Sequence, residues 1–356
     1  MMSFASAREI VMTHGWNTTA YQILNPGLRH WFAPDVPAVV AYTRRQSVML
    51  VAGAPVCAAD ALRSVVTNFE RFAAEQGCRV CYVCAAERMR DLVAGSDGHA
   101  TVVIGAQPVW YPQEWTALIQ SQRSLRAQLA RARNKGVTVE LIPCAQGHDH
   151  PELERVRDEW LRSRGLPPLH FLVEPQTLRG DVADRVLLVA RRAGSVVAFL
   201  VASPVVARNG YLIEQVVRSP RAPNGSSELL IDAAMRCFAA EGRVYATLGL
   251  VALSNQAGGA SAINPWWLRL MMTFARGHAN RFYNFRGLER FRTKMSPAYW
   301  ETIYAISNER SFSLRTLYAI GAAFSGTSPW RALALGLLRA LGQEARRLRW
   351  PGTSEP

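Results

Sequence analysis

Acid is the scarcer charge in this sequence. The 27 Asp and Glu stand against 41 Lys and Arg, a formal net charge of +14 and a pI of about 10.1. Such an excess favours anionic partners such as RNA, phosphate-bearing cofactors or an anionic membrane face. An Arg-rich composition with no functional meaning is the other reading. Long apolar runs are missing too. No stretch reaches the roughly 18 residues that a membrane span needs. The longest candidate, Val196 to Val206, is short and holds Ser203 and Pro204. The first residues, MMSFASAREIVMTHGW, carry no basic region followed by an apolar run, so no signal peptide is expected. The expected location is the cytoplasm, with peripheral contact at the inner face of the plasma membrane. A Walker A loop, a dinucleotide-binding glycine pattern and a G-x-S-x-G elbow are all absent, which argues against those nucleotide and hydrolase chemistries.

What is present is a globular composition. The 356 residues are 49% apolar, enough for two domains with real cores. Cys78, Cys81 and Cys84 have metal-like spacing. However, CRVCYVC also reads as a buried strand, whose alternation sets Cys81 opposite Cys78 and Cys84. No nearby fourth ligand completes a site, so no metal is expected, and free thiols fit a reducing compartment. His148-Asp149-His150 looks metal-like as well, but it reads as a solvated turn before Pro151.

Local signals are clearest from 185 to 250. Arg185 to Arg191 reads as a strand and Ala193-Gly194 as a turn, followed by a strand from Val196 to Ser203. Asn209-Gly210 is a hairpin signal, and Tyr211 to Val217 a third strand. A polar loop, Arg218 to Ser226, leads into a helix with Leu229, Leu230, Ala233, Ala234 and Cys237 inside. Gly242 ends that helix, and Val244 to Leu248 is a strand. The first half repeats the order. Strands at Ala38 to Tyr42 and Val48 to Val51 flank a turn at Arg44-Arg45-Gln46. A helix from Ala59 to Ala74 and a strand from Arg79 to Val83 follow.

The expected fold is therefore α/β (α+β). It has tandem lobes of the acetyltransferase-like (GNAT) kind, with mixed, mostly antiparallel sheets flanked by helices. The expected division is a lobe at 1–114, a basic linking helix at 115–136, a catalytic lobe at 137–310 and a tail at 311–356. The linking helix, Trp115 to Lys135, carries Arg123, Arg126, Arg131, Arg133 and Lys135, with Gly136 as its C-cap. Those cations either track RNA phosphates or form an ordinary solvated face. In the tail, Leu333, Leu337, Leu341, Ala345 and Leu348 recur at helical spacing among arginines. That is a basic amphipathic helix, either interfacial or docked on the core.

In a GNAT fold, backbone N–H groups at a helix N-terminus hold a phosphate-bearing acyl donor. Here the loop Arg218-Ser-Pro-Arg-Ala-Pro-Asn-Gly225 has the right position but lacks the compact coenzyme A pattern. The segments VVRSPRAPNGSSELLIDAAM and FYNFRGLERFRTKMSPAYW resemble phosphatidylglycerol lysyltransferase C-terminal domains. The second matches at Tyr283, Asn284, Phe285, Gly287, Leu288, Phe291, Lys294, Pro297 and Trp300. Weaker echoes lie at Leu125 to Gly136, Glu159 to Pro175 and Thr247 to Ser254, so the likeness runs from about 40 to 305. The resemblance implies a tandem GNAT fold that moves an aminoacyl group from a charged tRNA to a lipid hydroxyl, typically that of phosphatidylglycerol. It implies aminoacyl-tRNA as co-substrate and no other cofactor. The family's multi-span flippase region is not in this sequence, so a separate flippase is an expected partner. Other departures are Arg292 and Met295 in the second segment. Gln215 stands where the family has an acid.

Aminoacyl-tRNA is an activated ester, so the chemistry needs alignment, oxyanion stabilisation and the handling of one proton. Lys294 is the candidate for the oxyanion or a terminal phosphate, or else a surface lysine. Glu228 either complements the helix dipole or holds an ammonium. Arg218 enters the loop, where Glu228 or a phosphate would pair with it. Glu214 is a second pocket acid or a solvent-facing strand residue. With Gln215, Asn224, Gly225, Tyr283, Asn284 and Arg292 it forms the expected substrate-binding set. Two other readings stay open: a coenzyme A-dependent N-acyltransferase, and a non-catalytic relative that binds RNA or lipid.

Overall fold

The computed structural model describes residues 4–163, 171–172, 177–178, 184–278 and 285–326. The expected amphipathic helix of the tail falls beyond 326, outside the described residues, as do Tyr283 and Asn284.

The chain opens with α1 (Phe4–His14), then β1 (Arg29–Phe32), β2 (Val39–Arg45) and β3 (Val48–Ala52). Next come α2 (Leu62–Glu75), β4 (Arg79–Ala85), α3 (Glu87–Val93) and β5 (Ala100–Trp110). Two helices, α4 (Trp115–Ser121) and α5 (Arg123–Asn134), lead to β6 (Val137–Ile142). The short α6 (Cys144–Gly147) and α7 (Pro151–Arg162) precede β7 (Val186–Arg192), β8 (Ser195–Val205) and β9 (Gly210–Arg218). Then follow α8 (Ser226–Ala240), β10 (Tyr245–Thr247), β11 (Val251–Ala252), α9 (Trp266–His278) and α10 (Phe285–Lys294). The described chain closes with β12 (Tyr299–Ser307) and α11 (Leu314–Ser325).

Among the described residues the strands form one sheet in the order β1-β2-β3-β4-β12-β5-β10-β9-β8-β7-β6, with β11 against β5. The same unit occurs twice. An antiparallel meander (β1-β2-β3, then β7-β8-β9) is followed by a helix and a strand parallel to the last meander strand. The closing strands are exchanged. β5, from the first half, pairs with β10, while β12 reaches back to pair with β4 and β5. Each half thus covers an edge that the other would leave unpaired.

Alternation of side chains sets the cores. In the first half Val39, Leu50 and Ile303 face α1 and α11, whereas Met49, Val51, Phe69 and Tyr82 pack on the α2 side. In the second half Leu200 and Ile213 pack with Leu125 and Leu129 of α5 and Leu230 and Phe238 of α8. Val189, Phe199 and Val217 meet Leu153 and Val156 of α7 on the other face. Three local expectations need correction. The linking helix is two helices, because Gln122 leaves helical geometry (φ −99°, ψ 90°), and the Arg126 guanidinium caps α4 at the Ile119 and Gln120 carbonyls. Cys81 and Cys84 lie on the same face, because Cys84 takes a positive φ of 65° and breaks the alternation. On α8, Met235 and Phe238 are buried while Cys237 is only half-buried.

The two halves are pinned by Glu301 of β12. It accepts hydrogen bonds from Gln107 (2.6 Å), Tyr245 (3.1 Å) and the Arg208 guanidinium, which also stacks 3.8 Å over the Tyr245 ring. Burial raises the pKa of Glu301, but the Arg208 hydrogen bonds and charge outweigh it and hold the carboxyl below its usual range. A depressed carboxylate contributes stability at neutral pH that is lost as pH falls through its folded-state pKa. Melting temperature should therefore drop as pH falls below about 4. Glu301→Gln should cost about 2 kcal/mol at pH 7 and give a shallower acid limb. An unchanged acid limb in that variant would remove Glu301 as a cause.

Candidate active site

β9 and β10 pair over only three residues, Gly210 to Leu212 against Tyr245 to Thr247, and then part. In the first half the equivalent β3 and β4 stay paired from Val48 to Ala52. The parting in the second half opens a cavity of about 970 Å³. Its wall is formed by Glu214, Gln215, Val216 and Arg218 of β9, the loop at Asn224 and Gly225, and Ser227 and Glu228 of α8. Gln128 and Arg131 of α5 stand at one side. Leu268, Met271 and Met272 of α9 and Leu317, Ile320 and Phe324 of α11 make an apolar wall elsewhere in it. Thr18, Gln22 and Gln107 add polar groups from the first half.

A second cleft, of about 580 Å³, adjoins it. Arg276 of α9 and Arg286, Glu289, Arg290, Thr293 and Lys294 of α10 line it, with Arg276 paired to Glu289 at 2.7 Å. The spacing of Arg286, Arg290 and Lys294 (i, i+4, i+8) puts three cations on one face of α10. Leu288, Phe291 and Arg292, on another face of the same helix, line the larger cavity. Lys294 lines the second cleft and pairs with Glu228, which lines the larger cavity. Its Nζ lies 3.6 Å from Glu228 Oε1, with the lysine side chain 36% exposed and the glutamate 12%. Position follows from packing next door. Met295 is fully buried, and the Trp110 indole N–H donates to its carbonyl at 2.9 Å. Ala298 then joins β12 to Val109.

The other expected residues are placed as follows. Gly225 (φ +96°) lies under α5, where a Cβ would come within 2.2 Å of the Gln128 carbonyl oxygen. α5 packs against Gly225 at the start of α8, and Glu228 puts negative charge in the first turn of that helix. That charge opposes a pyrophosphate there. Arg218 is exposed at the cavity edge, and Glu228 pairs with Lys294 rather than with it. Glu214 is the extra residue of a β9 bulge opposite Val201 and Ala202. Its carboxylate meets Arg185 Nε at 2.9 Å, with the side chains 2% and 4% exposed. Glu214 is thus an acid of the cavity wall already paired with Arg185, not a solvent-facing strand residue. Gln215 accepts a hydrogen bond from Thr177 at 3.2 Å. Arg292 donates to the Gly249 carbonyl at 2.5 Å. Of the α5 cations, Arg131 lines the cavity, and Arg133 pairs with the buried Asp232 at 2.9 Å. Arg123 and Lys135 are exposed.

Sequence reasoning passed over Gln107, Arg276, Arg286 and Arg290. The periodic cations of α10 were visible as a pattern. Gln107 and Arg276 were not, because each is recruited from a distant element. Burial pushes the thiols of Cys57 and Cys144 up to about 11, so neither is a ready nucleophile. Among the described residues no three His, Cys, Asp or Glu side chains converge as a metal site.

Exchanged closing strands, a sheet that parts in its second unit and a cavity at the parting define an acyltransferase fold of the tandem GNAT-like class. The chain belongs to the phosphatidylglycerol lysyltransferase C-terminal family, whose sequence pattern matches residues 8–307. It is 21% identical over 299 residues to phosphatidylglycerol lysyltransferase of Staphylococcus epidermidis, a match covering 83% of this chain. The chain spans about a third of that relative's length (35%). Among solved structures, it resembles a C-terminal domain assigned to lysylphosphatidylglycerol synthetase of Agrobacterium fabrum. That likeness has a TM-score of 0.72 and 22% identity, covering 91% of this chain and 97% of that one. The L-PGS of Bacillus licheniformis is similar, with a TM-score of 0.71 and 19% identity over 90% and 96% of the two chains.

Proposed function

We propose that this protein transfers an aminoacyl group from a charged tRNA to the hydroxyl of phosphatidylglycerol or a related acceptor. The observation that carries the reading is the Lys294–Glu228 pair, set where a basic cleft meets a cavity with an apolar wall. Cations suit the phosphates of the tRNA acceptor end. Aliphatic and aromatic side chains suit the tails of a lipid. The acceptor oxygen attacks the ester carbonyl carbon, and the bond from that carbon to the ribose oxygen breaks. The acceptor's proton ends on the ribose hydroxyl. One ester replaces another, so neither ATP nor a further cofactor is required. The Lys294 ammonium stabilises the oxyanion as it forms, and Glu228 holds that ammonium in place. The Glu228 carboxylate in the first turn of α8 weighs against a coenzyme A pyrophosphate there. A location at the cytoplasmic face of the membrane follows from these two substrates.

Purified protein, mixed labelled aminoacyl-tRNAs and phosphatidylglycerol vesicles test this directly. Label should pass to the lipid extract, and prior RNase treatment should abolish it. Intact charged tRNA with no labelled lipid would end the lipid reading, and acetyl-coenzyme A would then be tried as donor.

A further inference from the structure

The outward face of α9 is apolar. Trp266, Leu270 and Phe274 are 72%, 65% and 63% exposed, and they recur at i, i+4, i+8, so they form one stripe. The helix that presents them is held from beneath. At its start Asn264 exchanges two hydrogen bonds with the backbone of Val103, at 2.7 and 2.9 Å. Leu268 is buried in the first-half core. Near its end Arg276 pairs with Glu289 at 2.7 Å and donates to the Leu253 carbonyl at 2.6 Å. A helix so anchored cannot turn its apolar stripe inward, and exposed apolar surface of this kind marks an interaction site.

Two further observations choose the occupant. Met271 is 45% exposed and also lines the large cavity, so the stripe runs into the cavity's apolar wall. A ligand with apolar tails would pass from the stripe to the cavity without crossing water. The stripe also begins with an exposed Trp, carries the exposed Arg269 at its flank and belongs to a chain of net charge +14. Tryptophan and arginine suit the headgroup level of an anionic bilayer. We infer that α9 is a bilayer-docking helix, seated in the headgroup region of an anionic membrane and delivering lipid to the cavity beside it. This inference rests on the lipid reading of that cavity, but docking is measurable without turnover.

The test is co-sedimentation with phosphatidylglycerol–phosphatidylcholine vesicles, comparing the full chain with the double variant Trp266→Ser, Leu270→Ser. These two side chains are 72% and 65% exposed, so the melting temperature should hold. The bound fraction should correspond to at least a tenfold weaker partition for the variant. Transfer to a short-chain, non-vesicular phosphatidylglycerol should stay the same. A variant that sediments like the wild type overturns the inference. So does light scattering that shows a wild-type dimer and a monomeric variant with vesicle binding intact, since the face would then belong to a second copy. Loss of vesicle binding in the variant, with no aminoacyl lipid made by the wild type, would uphold docking while removing the transferase reading.

Discussion

Lys294→Ala is expected to lower aminoacyl transfer by roughly 10²–10³-fold, the usual cost of losing one preorganised oxyanion contact. The protein should stay folded. The lysine is 36% exposed and its ion pair with Glu228 is long, at 3.6 Å. Solvent screens such a pair, and its net worth is about 0–1 kcal/mol. Met295 and the Trp110 hydrogen bond, not Lys294, fix the end of α10. The loss should appear in kcat rather than KM, because the charge is needed only as the oxyanion develops. Lys294→Arg separates charge from geometry, since it keeps the cation but spreads it over a planar fork. Partial rescue is expected. Near-wild-type kcat in Lys294→Ala would remove the lysine from the chemistry. An equal rise in KM at constant kcat would make it a binding residue of the basic cleft.

The sequence made some of this arrangement visible and hid the rest. The meander, loop, helix and strand between 185 and 250 could be read because turn residues and apolar alternation are local signals. Glu228 and Lys294 could each be singled out. Their meeting could not, because the residues are 66 positions apart in sequence and the contact depends on how α10 returns over α8. The exchange of β5 and β12 was equally invisible. Either strand alternates correctly for its own half, and only the register with β4 and β10 decides the pairing. Gln122 shows a different limit. The periodic cations continue through it as though through one helix, and only the backbone angles show the break. The bulge that turns Glu214 inward is also non-local, as it exists only relative to β8.

Glu214 therefore supports the other large expected effect. Glu214→Ala should destabilise the fold by about 3–5 kcal/mol, the cost of leaving a buried charge without its partner. The charge left behind is Arg185, which burial makes harder to ionise but which Glu214 more than compensates, so its pKa lies above the usual value. Arg185 has other neighbours, the Asn25 side-chain amide oxygen (Oδ1) at 2.8 Å and the Tyr21 ring at 5.0 Å. These are neutral groups and cannot replace a carboxylate. The melting temperature should fall by roughly 10 °C. Removing both charges, as in Arg185→Met with Glu214→Leu, should recover much of that loss, because two apolar side chains of similar bulk need no hydration. If the carboxylate instead held the ammonium of an aminoacyl group, Glu214→Ala would melt like the wild type and raise KM. The double variant would then show no recovery, since there would be no pair to remove. Calorimetry of Arg185→Met, Glu214→Leu and the double variant closes the cycle, and a coupling near zero would show that Arg185 and Glu214 do not depend on one another.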